Sequence, residues 1–150
     1  MAFHFLLDDL NQNLSQKAIG TDKGLAKLGD SIVNLTYSMA KSIYLTHNNP
    51  RKRIIRTGNK VSKKILAEAL KNADLKPFAK NRGDAHDMAD TVEAIVAYVW
   101  LSNKMSVEEI TEILWTSFSG DFIVRNQEIE TARQAFTNLL NKMKKFLPEH

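Results

Sequence analysis

The sequence contains no cysteine, which excludes disulfide staples, thiolate zinc sites and thiol nucleophiles together. No apolar run approaches the ~20 residues that span a bilayer. The stretch Met1 to Leu10 is apolar but broken by Asp8 and Asp9. It lacks a basic start and a cleavage signature, so it does not read as a secretion signal. A soluble, cytoplasmic protein without membrane contact is expected. Several chemistries are also missing. There is no glycine-rich phosphate loop after a strand, no Gly-x-Ser-x-Gly, no His-Glu-x-x-His and no zinc spacing. No repeat of solenoid length, low-complexity tract or linker interrupts the 150 residues, so one domain over 1–150 is expected. A domain of that length buries roughly 68–70% of its unfolded surface and needs no staples.

What is present reads almost entirely as helix, and the expected fold class is all-α. Phe3 to Leu14 places Phe3, Leu6, Leu7, Leu10 and Leu14 on one stripe. Thr21 or Asp22 is placed to cap a helix from about Lys23 to Thr46. That helix looks apolar nearly all round, which predicts a central position. His47-Asn48-Asn49-Pro50 stops it. Further helices are expected over about Lys60 to Ala73, Asp84 to Asn103, and Ile123 to Phe146. Ser106-Val107-Glu108-Glu109 is a capping-box pattern that opens one more, to about Phe118.

Net charge is +4, and it is concentrated. Between Pro50 and Lys64 stand Arg51, Lys52, Arg53, Arg56, Lys60, Lys63 and Lys64, with no acid. Such a block suggests a polyanion partner, nucleic acid before membrane, because Ile54 and Ile55 are too few to bury in lipid. The alternative is a solvated basic loop feeding an ordinary helix.

Against this background two acidic sites stand out on apolar helices. One is Leu28-Gly29-Asp30. The other is Asp90-Thr91-Val92-Glu93, which runs into Ala94-Ile95-Val96-Ala97-Tyr98-Val99-Trp100-Leu101. Carboxylates are costly to bury unless paired or bound to a cation. Residues three and four apart share a helix face, so His86, Asp90 and Glu93 form one stripe, and Asn34 lies one turn after Asp30. Packing the two helices could bring Asp30, Asp90 and Glu93 together around Mg²⁺ or Mn²⁺, which take oxygen ligands. The alternative is that these are surface acids answering nearby lysines and arginines, with His86 an ordinary helix-start histidine. Gly29 inside a helix costs ~1 kcal/mol relative to alanine and marks a close backbone approach. Met39, Met88, Met105 and Met143 read as core, and Trp100 and Trp115 as core or interface residues.

Leu28-Gly29-Asp30-Ser31-Ile32-Val33 resembles the signature helix of ribonuclease III, Leu-Gly-Asp-(Ala/Ser)-apolar-apolar. Ala89-Asp90-Thr91-Val92-Glu93-Ala94 resembles the family's second motif, and Asn59 to Ala67 resembles the helix between them. The likeness covers about residues 20 to 105. It implies an all-α, dimeric fold with double-stranded RNA lying across a valley between subunits. It also implies that Asp30, Asp90 and Glu93 are the Mg²⁺-binding catalytic acids, cleaving double-stranded or structured RNA to 5′-phosphate and 3′-hydroxyl ends. Two departures stand out. The family's usual Glu, four residues before the motif Asp, is Ala26, as in the compact Mini-ribonuclease III branch. That branch commonly lacks the Asp found here at Asp90. No double-stranded-RNA-binding domain is expected after the catalytic one, so Arg51, Lys52, Arg53, Arg56, Lys60, Lys63 and Lys64 are expected to supply the phosphate contacts. The rivals are a non-catalytic RNA- or ribonucleoprotein-binding scaffold of the same fold, favoured by Ala26, and a helical protein-interaction module.

Overall fold

The computed structural model describes residues 3–150, and all regular structure among them is helical. Seven α-helices follow in order: α1 (Asp8–Gln12), α2 (Gln16–Gly20), α3 (Lys23–His47), α4 (Lys63–Asn72), α5 (Ala85–Leu101), α6 (Val107–Ser117) and α7 (Arg125–Met143). No described helix is long and apolar enough to cross a membrane.

The helix starts are set by local chemistry. The side chain of Asp22 accepts from the Leu25 N–H and opens α3. Ser62 does the same for α4 through the Ile65 N–H. Reciprocal capping boxes, Asp84 with Asp87 and Ser106 with Glu109, open α5 and α6. Each cap satisfies amide donors that the first helical turn cannot pair internally.

The central helix is α5, not α3. From Met88 to Leu101 every residue of α5 is buried except Asp90 and the partly buried Trp100. Helices α2, α3 and α4 pack around it, while α6 rests on α3 and α7 bridges α4 and α6. The expectation of a central α3 fails because its polar residues are grouped rather than scattered. Leu25, Ala26, Gly29, Ile32, Val33, Thr36, Tyr37 and Ala40 make the buried face. Leu28 and Leu35 point to solvent, 43% and 53% exposed.

The amino-terminal stripe is also corrected. His4–Leu7 is a 3₁₀ turn leading into the short α1, and of Phe3, Leu6, Leu7, Leu10 and Leu14 only Leu7 is buried. Helix α2 leaves no signal in the sequence. Ser15 caps it through the Ala18 N–H, and five residues are too few to show a 3.6-residue period.

Two glycines fix how closely these helices approach. A Cβ at Gly29 would lie 1.7 Å from the carbonyl oxygen of Glu93, and one at Gly20 would lie 2.0 Å from that of Phe78. No side chain survives either approach. Gly29 therefore lets α3 touch the α5 backbone at Glu93 itself, which answers the sequence-level reading of Leu-Gly-Asp as a close-approach point.

Candidate active site

The close approach at Gly29 brings the next residue, Asp30, beside the acids of α5. Asp30, Asp90 and Glu93 line one open cavity of about 230 Å³ together with Lys23, Ala26, Lys27 and Lys63. Three helices meet here: the first third of α3, the first half of α5 and the first turn of α4.

Glu93 is the most perturbed of the three. Its side chain is only 3% exposed. Burial, then a hydrogen bond with Asp30, pushes its carboxyl up to about 7. Asp30 shifts the other way, held below the usual carboxylate range chiefly by that same hydrogen bond, with Lys60 and Lys63 adding to it. The opposite shifts make Glu93 the more readily protonated of the two. Asp30 has a second donor in Asn34, whose Nδ2 reaches its Oδ1 at 3.1 Å and its carbonyl oxygen at 2.8 Å.

Two lysines compensate the negative charge. Lys63, the first residue of α4, places its Nζ 3.3 Å from Glu93 Oε1 and 3.7 Å from Asp90 Oδ1. Lys23, the first of α3, reaches Asp90 Oδ2 at 3.1 Å. His86 Nε2 stands 3.6 Å from the same oxygen, one turn earlier on α5 and mostly exposed. Reading the sequence by motif passes over Lys23, although its spacing of seven from Asp30 puts both on one helix face.

The donor set is hard oxygen, the chemistry that suits Mg²⁺ or Mn²⁺. Among the described residues no three His, Asp or Glu side chains stand at ligand spacing. The Lys63 ammonium stands between Asp90 and Glu93, and burial beside Asp30 favours the protonated form of Glu93. Asp30, Asp90 and Glu93 offer the oxygen donors that a divalent ion takes, with the Lys63 ammonium occupying the space between two of them.

The basic segment divides in two. Arg51, Lys52, Arg53, Arg56 and Lys60 are exposed on a strap between α3 and α4, and Lys64 is exposed on the outer side of α4. Lys63 turns inward to the acids. Four side chains of α3 stitch the strap down. Thr46 Oγ1 accepts from the Ile55 N–H at 2.8 Å, and Ser42 Oγ from that of Thr57 at 3.0 Å. Ser38 Oγ takes the Asn59 N–H at 3.3 Å, and Asn34 Oδ1 takes that of Val61 at 2.8 Å. The rungs fall every four residues on α3, about 6 Å apart. They fall every second residue on the strap, about 6.6 Å apart in an extended chain. The two periods nearly match, so the rungs stay in step. Between the rungs Arg56 and Lys60 are exposed, while Gly58 lies directly against α3.

An all-α domain in which two helices bring a Leu-Gly-Asp acid and an Asp-x-x-Glu pair to one cleft, beside a basic strap, has the build of a nuclease domain. The family model for ribonuclease III matches residues 23–148, and the chain belongs to that family. Membership supports an RNA endonuclease function, with RNA as the bound partner. No curated protein matches the sequence.

Proposed function

We propose that this chain is a divalent-metal-dependent endoribonuclease acting on double-stranded or structured RNA. The observation that supports it most is the convergence of Asp30, Asp90 and Glu93, from two separate motifs, on one cavity. In this reading those three carboxylates hold Mg²⁺ or Mn²⁺ and are the catalytic acids. A bound ion supplies a water of lowered pKa and neutralises charge on the phosphate. The chain's own side chains do the rest. Glu93 would serve as a ligand in its ionised form. Lys63 leaves the acids and remains at hand for phosphate charge. Asp90 stays oriented by Lys23 and His86. Water attack on phosphorus with rupture of the bond to the 3′-oxygen, which takes up a proton, leaves 5′-phosphate and 3′-hydroxyl ends.

Arg51, Lys52, Arg53, Arg56, Lys60 and Lys64 contact phosphates, the sequence-independent part of duplex affinity. A homodimer completes the reading. Leu28 and Leu35, two turns apart on α3 and exposed, offer an apolar surface to a second copy.

The test is incubation of a long RNA duplex with Mg²⁺, with product ends mapped. Asp30→Asn and Glu93→Gln should each abolish cleavage and leave the helical fold intact. A second reading, a non-catalytic RNA-binding scaffold, is favoured by Ala26 and by the Lys63 ammonium among the acids. Duplex bound but uncut by the wild-type chain would establish that reading instead.

A further inference from the structure

Three rungs of the ladder along α3 are hydroxyls, and the fourth is an amide. A rung needs only an acceptor, and the other three supply it with a hydroxyl. Val61 is buried, so its N–H needs an acceptor. The amide does something a rung alone does not require. Its Oδ1 faces the Val61 donor, so its Nδ2 faces the other way, onto Asp30, where it donates to the main-chain carbonyl at 2.8 Å and to the carboxylate Oδ1 at 3.1 Å. One planar group thus joins the end of the basic strap to the first acid of the cleft.

We infer that Asn34 is a positioning residue that couples the register of the basic strap to the orientation of the Asp30 carboxylate. The coupling rests on the reading of Asp30 as a metal ligand and of the strap as the phosphate-contacting segment. The strap has little slack through which a displacement could dissipate. Gly58 lies so close to α3 that a Cβ there would stand 2.7 Å from Ser38 Oγ and 3.0 Å from Ser38 Cβ. Lys41 Nζ holds the Asn59 side chain at 3.0 Å and is itself fixed by the buried Glu128 at 2.9 Å. A pull on Arg56 or Lys60 therefore passes along the backbone to Val61. Because the Asn34 amide is rigid, movement of Val61 rotates Nδ2 relative to Asp30. Phosphate engagement on the strap and ion binding at the acids are linked through this amide.

A double-mutant cycle read by Mn²⁺ affinity tests the link, with Mn²⁺ alone as the probe and no RNA present. The site is the one abolished in Asp30→Asn. Asn34→Ala should weaken Mn²⁺ binding there about tenfold, the usual effect of removing an outer partner of a ligand. Gly58→Ala lifts the strap between rungs, remote from the acids, and should weaken binding by about threefold or more. In the Asn34→Ala background Gly58→Ala should have no further effect. Ser42→Ala, which deletes the Thr57 rung, repeats the cycle if Gly58→Ala does not fold. Equal losses from the strap variants in both backgrounds, or no loss in either, overturn the coupling while leaving the metal site standing. Failure of the wild-type chain to bind Mn²⁺ at an Asp30-dependent site overturns the functional reading and the coupling with it.

Discussion

Glu93→Gln in metal-free buffer should make the protein more stable at pH 8 and change it little near pH 4. In the folded chain Glu93 binds its proton up to about pH 7, against an ordinary value of 4.5. Below about pH 4.5 the carboxyl is protonated in both states and favours neither. Between 4.5 and 7 the folded state keeps a proton that the unfolded state releases, so stability falls as pH rises. Above 7 both states are ionised and the full cost of the buried charge is present. At about 1.4 kcal/mol per pH unit this amounts to roughly 3 kcal/mol, already net of the Lys63 ion pair. Asp30 works in the opposite direction. Its lowered value contributes stability above the ordinary 3.8 that is lost only as the pH falls below it. The two windows do not overlap.

Glutamine keeps the shape of the protonated acid and its hydrogen bond to Asp30 but cannot ionise. The variant's stability should therefore stay level from pH 5 to 8 while the wild type declines. The gap at pH 8 should approach 3 kcal/mol, about 6–12 °C in Tm for a chain of this size. Calorimetric melts across that range in chelator decide the matter. Parallel profiles, with one constant offset, would refute the reasoning, because they would mean that Glu93 titrates alike in both states. Adding Mn²⁺ at pH 8 should then raise the wild-type Tm and not the variant's, since proton and ion compete for one carboxylate.

Other substitutions probe other parts of the site. Gly29→Ala gains up to ~1 kcal/mol in helix propensity but sets a Cβ 1.7 Å from the Glu93 carbonyl oxygen; a net loss of about 3 kcal/mol or more in urea unfolding is expected. Lys63→Met removes the cation between Asp90 and Glu93 and should tighten Mn²⁺ binding at pH 8 about tenfold; a unit charge at ~4 Å is worth up to about 4 kcal/mol at an effective dielectric of 20, and weaker binding in a titration would mean Lys63 instead preorganises the acids. Ala26→Glu places a carboxylate on the wall of the same cavity, one turn before Asp30, and should tighten Mg²⁺ binding in calorimetry. Replacing Arg51, Lys52, Arg53 and Arg56 with Ala should weaken duplex binding and lower the log–log salt slope by about 0.9 for each phosphate left unneutralised, on the scale of a DNA-like duplex; an unchanged slope would make the strap a solvated loop.

Long helices were legible in the sequence because they advertise themselves twice, in period and in caps. Asp22 and the Ser106–Glu109 box opened α3 and α6 where expected. The Leu-Gly-Asp and Asp-x-x-Glu acids were legible because a carboxylate in an apolar helix is costly and so conspicuous. The order of burial was not. Helix α5 is the more apolar, with 12 of its 17 residues against 12 of 25 in α3, but the spread of apolar residues around the longer α3 masked that difference, and packing shows that α5 is the enclosed one. The polar side chains of α3 looked like an ordinary solvent face. Asn34, Ser38, Ser42 and Thr46 are spaced by four, which any amphipathic helix also produces. What gives the spacing a purpose is the extended strap, and its conformation leaves no period in the sequence between Arg51 and Ser62.

Lys63 shows why a run of like charges hides a division of labour. It sits among six other basic residues with no acid between them, and composition assigns all seven to the same partner. The division is made by a cap. Ser62 turns the chain from strap to helix by accepting the Ile65 N–H at 3.2 Å. Side chains on the strap alternate by about 180°; once the helix begins, they step by about 100°. Lys60 is exposed on the strap, whereas in the first turn of α4 Lys63 points inward to Glu93 and Lys64, one step on, is exposed again. A serine-led cap was visible in Val-Ser-Lys-Lys, but the face it selects depends on how α4 lies against α5. That is decided by Ile65, Leu66, Ala69 and Leu70, all buried in the core. The charge that balances the acids is thus placed by apolar residues further along its own helix, and a reading by charge alone could not have separated it from its neighbours.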